Sequence, residues 1–194
     1  MQQWRSWFDK TSLHPTSGGT GTKRRPVWGV LLVAMVLASA CHETLHVSPV
    51  PSAPVRYTCD PAIVNLAMEQ GAPQTGLDSP GGYVRCCDRK YMGPNDAWGT
   101  GGLLIVQSFT PNTFYAYDLA CPYCYAATTN SPSRMHQLEM AKDGVTAHCA
   151  VCESEFGAIF WGSTAPTKGP ANQSNYPLRQ YRATLVGDKV TVSN

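Results

Sequence analysis

A chain of 194 residues, 43% apolar and 14% charged, is long enough for one domain with a real core. Its 17 glycines and 15 prolines argue against helical repeats and for strands joined by turns. The net charge of +2 is uneven: five basic residues and one acid precede position 41, whereas ten basic and twelve acidic residues from Cys41 onward leave that part at −2. A basic face for nucleic acid is therefore not expected.

In chain order, the first 25 residues are polar and end in "KRR". The apolar run "PVWGVLLVAMVLASA" follows, and then Cys41. A basic flank, a short apolar core and small residues at its end make residues 1–40 a secretory signal. At about 1.5 Å per residue its roughly 14 apolar residues reach about 21 Å, short of the ~30 Å needed to span a bilayer. "LASAC" resembles a bacterial lipobox, which implies cleavage after Ala40 and lipidation of Cys41. Membrane lipid is then a partner, and the cell envelope, at the outer membrane or the periplasmic face, is the expected location. Arg24–Arg25 precede the run as in signals for folded-protein export, without the fuller motif. Residues 41–57, with Pro49, Pro51 and Pro54, read as an extended tether, and residues 58–194 as the domain.

Within the domain, "CDPAIVNLAMEQGA" fits a short helix or a strand. "SPGGYVRCCDRKYMGPNDAWGTGG" is too rich in turn formers for regular structure. Three hairpins follow. Leu103–Phe109 and Thr113–Leu119 flank "TPN"; "MHQLEMAKDGVTAHC" turns at Asp143–Gly144; "LRQYRATLVGDKVTVSN" turns at Gly187–Asp188. Together they predict a compact antiparallel β domain.

Eight cysteines stand at 41, 59, 86, 87, 121, 124, 149 and 152. Cys121-Pro-Tyr-Cys124 and Cys149-Ala-Val-Cys152 each follow a predicted strand and enter a turn, with 24 residues between the pairs. Two such units side by side present four thiolates to one point, which suits zinc, iron or an iron–sulfur cluster. Outside the cytoplasm disulfides compete for the same sulfurs. Cys59 with Cys86 or Cys87 is the expected disulfide, because a Cys86–Cys87 bridge closes a strained ring. His148 precedes Cys149 on a strand and should point the opposite way, and His136 reads as a solvent-facing hairpin residue. Glu153 and Glu155 are not spaced as a general acid/base pair.

"YDLACPY" and "CAVCESEFGAIFWGSTAPTKGPANQSNYPLRQY" resemble a Rieske-type domain over about residues 100–194. Cys149, Ser154 and Phe156 fall on the second-loop cysteine, serine and aromatic of that family. Gly169-Pro170-Ala171 fall on its proline loop, and Pro177, Leu178 and Tyr181 on its closing hairpin. The resemblance implies an antiparallel β sandwich or barrel with two metal-binding loops. It further implies supporting roles near the centre for Tyr123, Ser154 and Pro170. Both histidine ligands of the family are missing: Tyr123 and Cys152 stand in their places, with Cys124 one residue beyond, and Glu153 replaces the usual glycine. A two-histidine, two-cysteine cluster therefore lacks its ligands. The expected centre is Cys121, Cys124, Cys149 and Cys152 holding a [2Fe–2S] cluster or a single iron, in an electron carrier with a redox partner protein rather than a catalyst by itself. The alternative is a redox-inert surface module in which the same cysteines bind zinc or pair as disulfides.

Overall fold

The computed structural model describes residues 47–61, 76–89, 92–127 and 135–194. The signal-like segment and Cys41 lie outside the described residues, as does all of "AIVNLAMEQGA". Among the described residues ten short strands carry the fold: β1 (Val55–Cys59), β2 (Tyr83–Cys86), β3 (Ala97–Trp98), β4 (Leu103–Gln107), β5 (Phe114–Asp118), β6 (Glu139–Met140), β7 (Ala147–His148), β8 (Glu155–Phe156), β9 (Gln180–Val186) and β10 (Lys189–Ser193). Among the described residues they are joined by two short helices, α1 (Pro122–Ala127) and α2 (Gly169–Gln173), and a 3₁₀ turn at Ile159–Trp161. All the strand pairings are antiparallel, as the hairpin pattern predicts.

Seven strands form one sheet in the order β2-β4-β5-β9-β10-β1-β3. The sheet curls on itself, because Val84 and Cys86 from one edge share an apolar core with Val55, Tyr57, Cys59 and Trp98 from the other. β1 alternates buried and exposed residues and so shows one face to solvent. β4 is buried at every position, which is why "LLIV" reads as a continuous apolar run. Leu103 and Ile105 face the barrel, whereas Leu104 and Val106 face a second core outside it. That second core is capped by a small sheet, β6-β7-β8, and by the segment from Ile159 to Leu178.

The hairpins differ in their turns. Val186 pairs with Lys189 across Gly187–Asp188, with Gly187 at φ 63, a true two-residue loop. The second hairpin is wider than predicted: Ala141 N–H donates to Thr146 O, with four residues between them. Asp143 drives this widening by accepting from the N–H groups of Val145 and Thr146 and from the Thr146 hydroxyl.

Two further expectations need correction. Tyr83–Cys86, inside the glycine-rich stretch, is strand β2 and buried throughout, since tertiary burial outweighs its turn-forming neighbours. The tether reading fails for residues 47–57, which belong to the domain. Val50 is fully buried, Arg179 donates to Ser48 O and Val50 O, and β1 pairs with β10 and β3. Among the described residues no disulfide is formed. Cys86 shares the barrel core with Cys59, while adjacent Cys87 packs on the other core, because successive strand side chains point to opposite faces.

Burial pushes the Cys59 thiol up to about 11, and it raises Cys86 and the Tyr57 phenol as well. In the unfolded chain thiols ionise near about 8.5 and phenols near about 10. The folded state therefore keeps protons that the unfolded chain releases. This stabilisation is complete below about pH 8.5 and is lost as pH rises through the folded values. Urea midpoints of the reduced, metal-free protein are expected to fall steadily above about pH 9, with a shallower slope in Cys59→Ala. A midpoint unchanged to about pH 11 would contradict this.

Candidate metal centre

The first cysteine loop grows from the end of β5. Asp118, fully buried, accepts through Oδ1 from the N–H groups of Gly101 and Ala120, both at 2.8 Å. Its Oδ2 accepts from Thr100 N–H and the Tyr181 hydroxyl, both at 2.7 Å. Four donors on one carboxylate tie the strand end, the 99–101 turn and β9 together three residues before Cys121. Gly99, at φ 70, is required there: a Cβ would lie 2.7 Å from Asp118 Oδ2. Cys121 N–H donates to His136 O, and Pro122 then starts α1, so the pair is carried into a helical turn where the sequence predicts a simple turn. Tyr125 N–H returns to Cys121 O, and Cys124 N–H donates to Cys121 Sγ.

The second loop joins β7 to β8. Cys149 N–H donates to Ser154 O, and Glu153 N–H donates to Cys149 O. Val151 and Cys152 present their N–H groups to Cys149 Sγ. Glu153 adopts φ 59, a left-handed conformation that favours glycine, the residue usual there in the resembled family. Gly169 closes against this loop at φ 75, and a Cβ on it would meet Glu153 O at 2.6 Å.

These loops bring the four sulfurs of Cys121, Cys124, Cys149 and Cys152 to within 4.8 Å of one another. Two cross-loop pairs are closest: Cys121–Cys152 at 3.5 Å and Cys124–Cys149 at 3.7 Å. Cys121 and Cys149 are fully buried and Cys124 nearly so, while Cys152 is half-buried. Unequal hydrogen bonding splits their acidities. Cys149 is held well below the ordinary thiol range because it accepts from the Cys121 thiol and from two backbone N–H groups. Cys121 is raised by donating to Cys149 and by burial, and burial together with the Cys149 charge pushes Cys124 up to about 12. A thiolate at Cys149 beside reluctant thiols at Cys121 and Cys124 suits a site completed by a cation, which displaces their protons.

The supporting residues take different places. Ser154, fully buried, accepts from Ala171 N–H at 3.0 Å, and the Cys152 thiol donates to its Oγ at 3.2 Å. With Cys152 as thiolate, the serine hydroxyl donates to the sulfur instead. Ser154→Ala is expected to lower the reduction potential of the iron-loaded protein, since the more negative reduced state loses more from that bond. About 1 kcal/mol of differential hydrogen bonding corresponds to a fall of about 40 mV for one electron, read by voltammetry. An unchanged or higher potential would remove this role. Tyr123 is half-buried against the same core, and Pro170 lies in the first turn of α2. His148 lies outside the sulfur cluster, although with Cys149, Cys152 and Pro170 it lines an open cleft of about 730 Å³. His136 lines a separate cleft with Arg85, whose guanidinium donates to Leu138 O at 2.9 Å. Sequence reasoning missed Asp118; the available signal was an acid at the end of an otherwise apolar strand, three residues before a cysteine.

No family model matches the chain, and no curated protein matches it. Two solved structures are similar to it. One is the ferredoxin of carbazole 1,9a-dioxygenase from Nocardioides aromaticivorans IC177, at 16% identity and TM-score 0.34, covering 57% of this chain and 96% of that one. The other is in a complex of reduced oxygenase and oxidized ferredoxin in carbazole 1,9a-dioxygenase, at 16% identity and TM-score 0.35, covering 59% of this chain and 82% of that one.

Proposed function

We propose that this chain is an electron-transfer metalloprotein whose redox group is iron held by Cys121, Cys124, Cys149 and Cys152. The observation that carries the reading is the convergence of four sulfurs within 4.8 Å, three of them buried and the fourth, Cys152, reaching toward the surface beside Val151, which is 60% exposed. A buried centre with one edge near solvent lets an outside partner approach a ligand while the rest stays dry. Iron supplies one-electron chemistry there. The protein residues hold the sulfurs in a fixed frame through backbone N–H groups, so little has to rearrange when the charge changes. The Rieske-like pattern over residues 100–194 supports a redox ancestry for the scaffold. The apolar run ending at Cys41 supports delivery to the cell envelope on a lipid anchor.

Protein purified without oxygen from iron-supplemented cells is expected to be coloured, to bleach with dithionite and to recover on reoxidation. Colourless protein that carries only zinc would eliminate electron transfer. A second reading, a redox-inert surface module, is favoured by the two cross-loop sulfur pairs. A reduced, metal-free sample that closes Cys121–Cys152 and Cys124–Cys149 disulfides in air and then takes up no metal would establish it instead.

A further inference from the structure

We infer that the four thiolates hold one metal ion in a single tetrahedral site, with no inorganic sulfide. This rests on the reading that they bind metal at all, and it departs from the two-iron cluster of the family the sequence resembles.

The argument is geometric. One ion with metal–sulfur bonds of about 2.3 Å at tetrahedral angles sets its four sulfurs about 3.8 Å apart. A two-iron, two-sulfide core is a pair of such tetrahedra sharing an edge. With the same bond length its irons lie about 2.7 Å apart, and thiolates on different irons lie about 5.3 or 6.5 Å apart. In this chain the two closest pairs are at 3.5 and 3.7 Å and no pair exceeds 4.8 Å. The spread brackets the single-ion edge and falls short of every inter-iron separation. The larger group does not fit these residues.

Opening the site to accept it would mean pushing the sulfurs apart by about 0.5 Å at the least and by more across the diagonal. The loops are built against that movement. Cys121 Sγ is tied to Cys124 N–H, and Cys149 Sγ to Val151 and Cys152 N–H. Their backbones are pinned in turn by Cys121 N–H to His136 O, Cys149 N–H to Ser154 O and Glu153 N–H to Cys149 O. Gly169 presses on the second loop, with a virtual Cβ 2.8 Å from Ser154 Cα. Each short pair takes one cysteine from each loop, so any spreading of the sulfurs has to move both loops at once.

The test uses the full chain, reduced and metal-free, with thiols counted before loading. It is offered Fe²⁺ alone, Fe²⁺ with sulfide, or Co²⁺. The expected result is one iron per chain in both iron samples, no acid-labile sulfide, and a cobalt titration ending at one per chain with the spectrum of a tetrahedral tetrathiolate. X-ray absorption should show four sulfur neighbours and no second metal. Two irons and two sulfides per chain, with a metal neighbour near about 2.7 Å, would overturn the inference while leaving the metal-binding reading intact. Fully reduced thiols with no metal uptake would overturn both.

Discussion

Cys149→Ser is expected to abolish stoichiometric metal binding, lowering affinity by well over the roughly 100-fold that loss of a supporting partner costs. This sulfur collects several donors: the Cys121 thiol and the N–H groups of Val151 and Cys152. It is therefore held as a thiolate more readily than Cys121 or Cys124, which give up their protons to the incoming ion. Serine nearly preserves the volume in a fully buried position but supplies a hydroxyl that ionises far less readily. Metal titration with a competing chelator checks the loss. Cys59→Ala is the control, because Cys59 lies in the barrel core and its removal should leave the stoichiometry unchanged. Tight one-to-one binding in Cys149→Ser would refute the assignment of this sulfur.

The second large effect is expected at Asp118→Asn. The carboxylate receives four donors on two oxygens, and an amide can present only one acceptor oxygen to them. Turning the new NH₂ toward the Tyr181 hydroxyl, which can also accept, still leaves Thr100 N–H facing a donor. The loss of charge-assisted bonds and one unsatisfied buried N–H together cost about 3 kcal/mol. For a domain of this size each kcal/mol is worth about 2–4 °C, so the melting temperature should fall by about 6–12 °C. Tyr181→Phe, which removes one donor, should cost about 1 kcal/mol. A melting temperature for Asp118→Asn within about 2 °C of the parent would show that the carboxylate does not organise this corner.

The fold class and the convergence of the four cysteines were legible because their signals are short-range and chemically narrow. Paired Cys-x-x-Cys units have few uses, and β4 and β5 announce themselves by branched and aromatic residues on both sides of a turn. The parts that escaped are tertiary. β2 is four residues long among glycines and prolines, and only burial on both faces keeps it a strand. Residues 47–54 look like a spacer because their prolines carry no periodicity, yet Arg179, distant in sequence, holds their carbonyl groups. The width of the second hairpin depended on side-chain oxygens of Asp143 competing for backbone donors, which a dipeptide turn rule does not weigh. Asp118 looked like one more strand-end acid; its importance lies in partners spread from Thr100 to Tyr181.

Leu103–Gln107 contributes one row of side chains to the barrel and the other to the sulfur-bearing half. A strand owned jointly by two cores cannot melt on behalf of one alone. Loading the centre should therefore shift a single calorimetric peak rather than split it, and at a thousandfold excess of ion over its dissociation constant the whole domain gains about 4 kcal/mol.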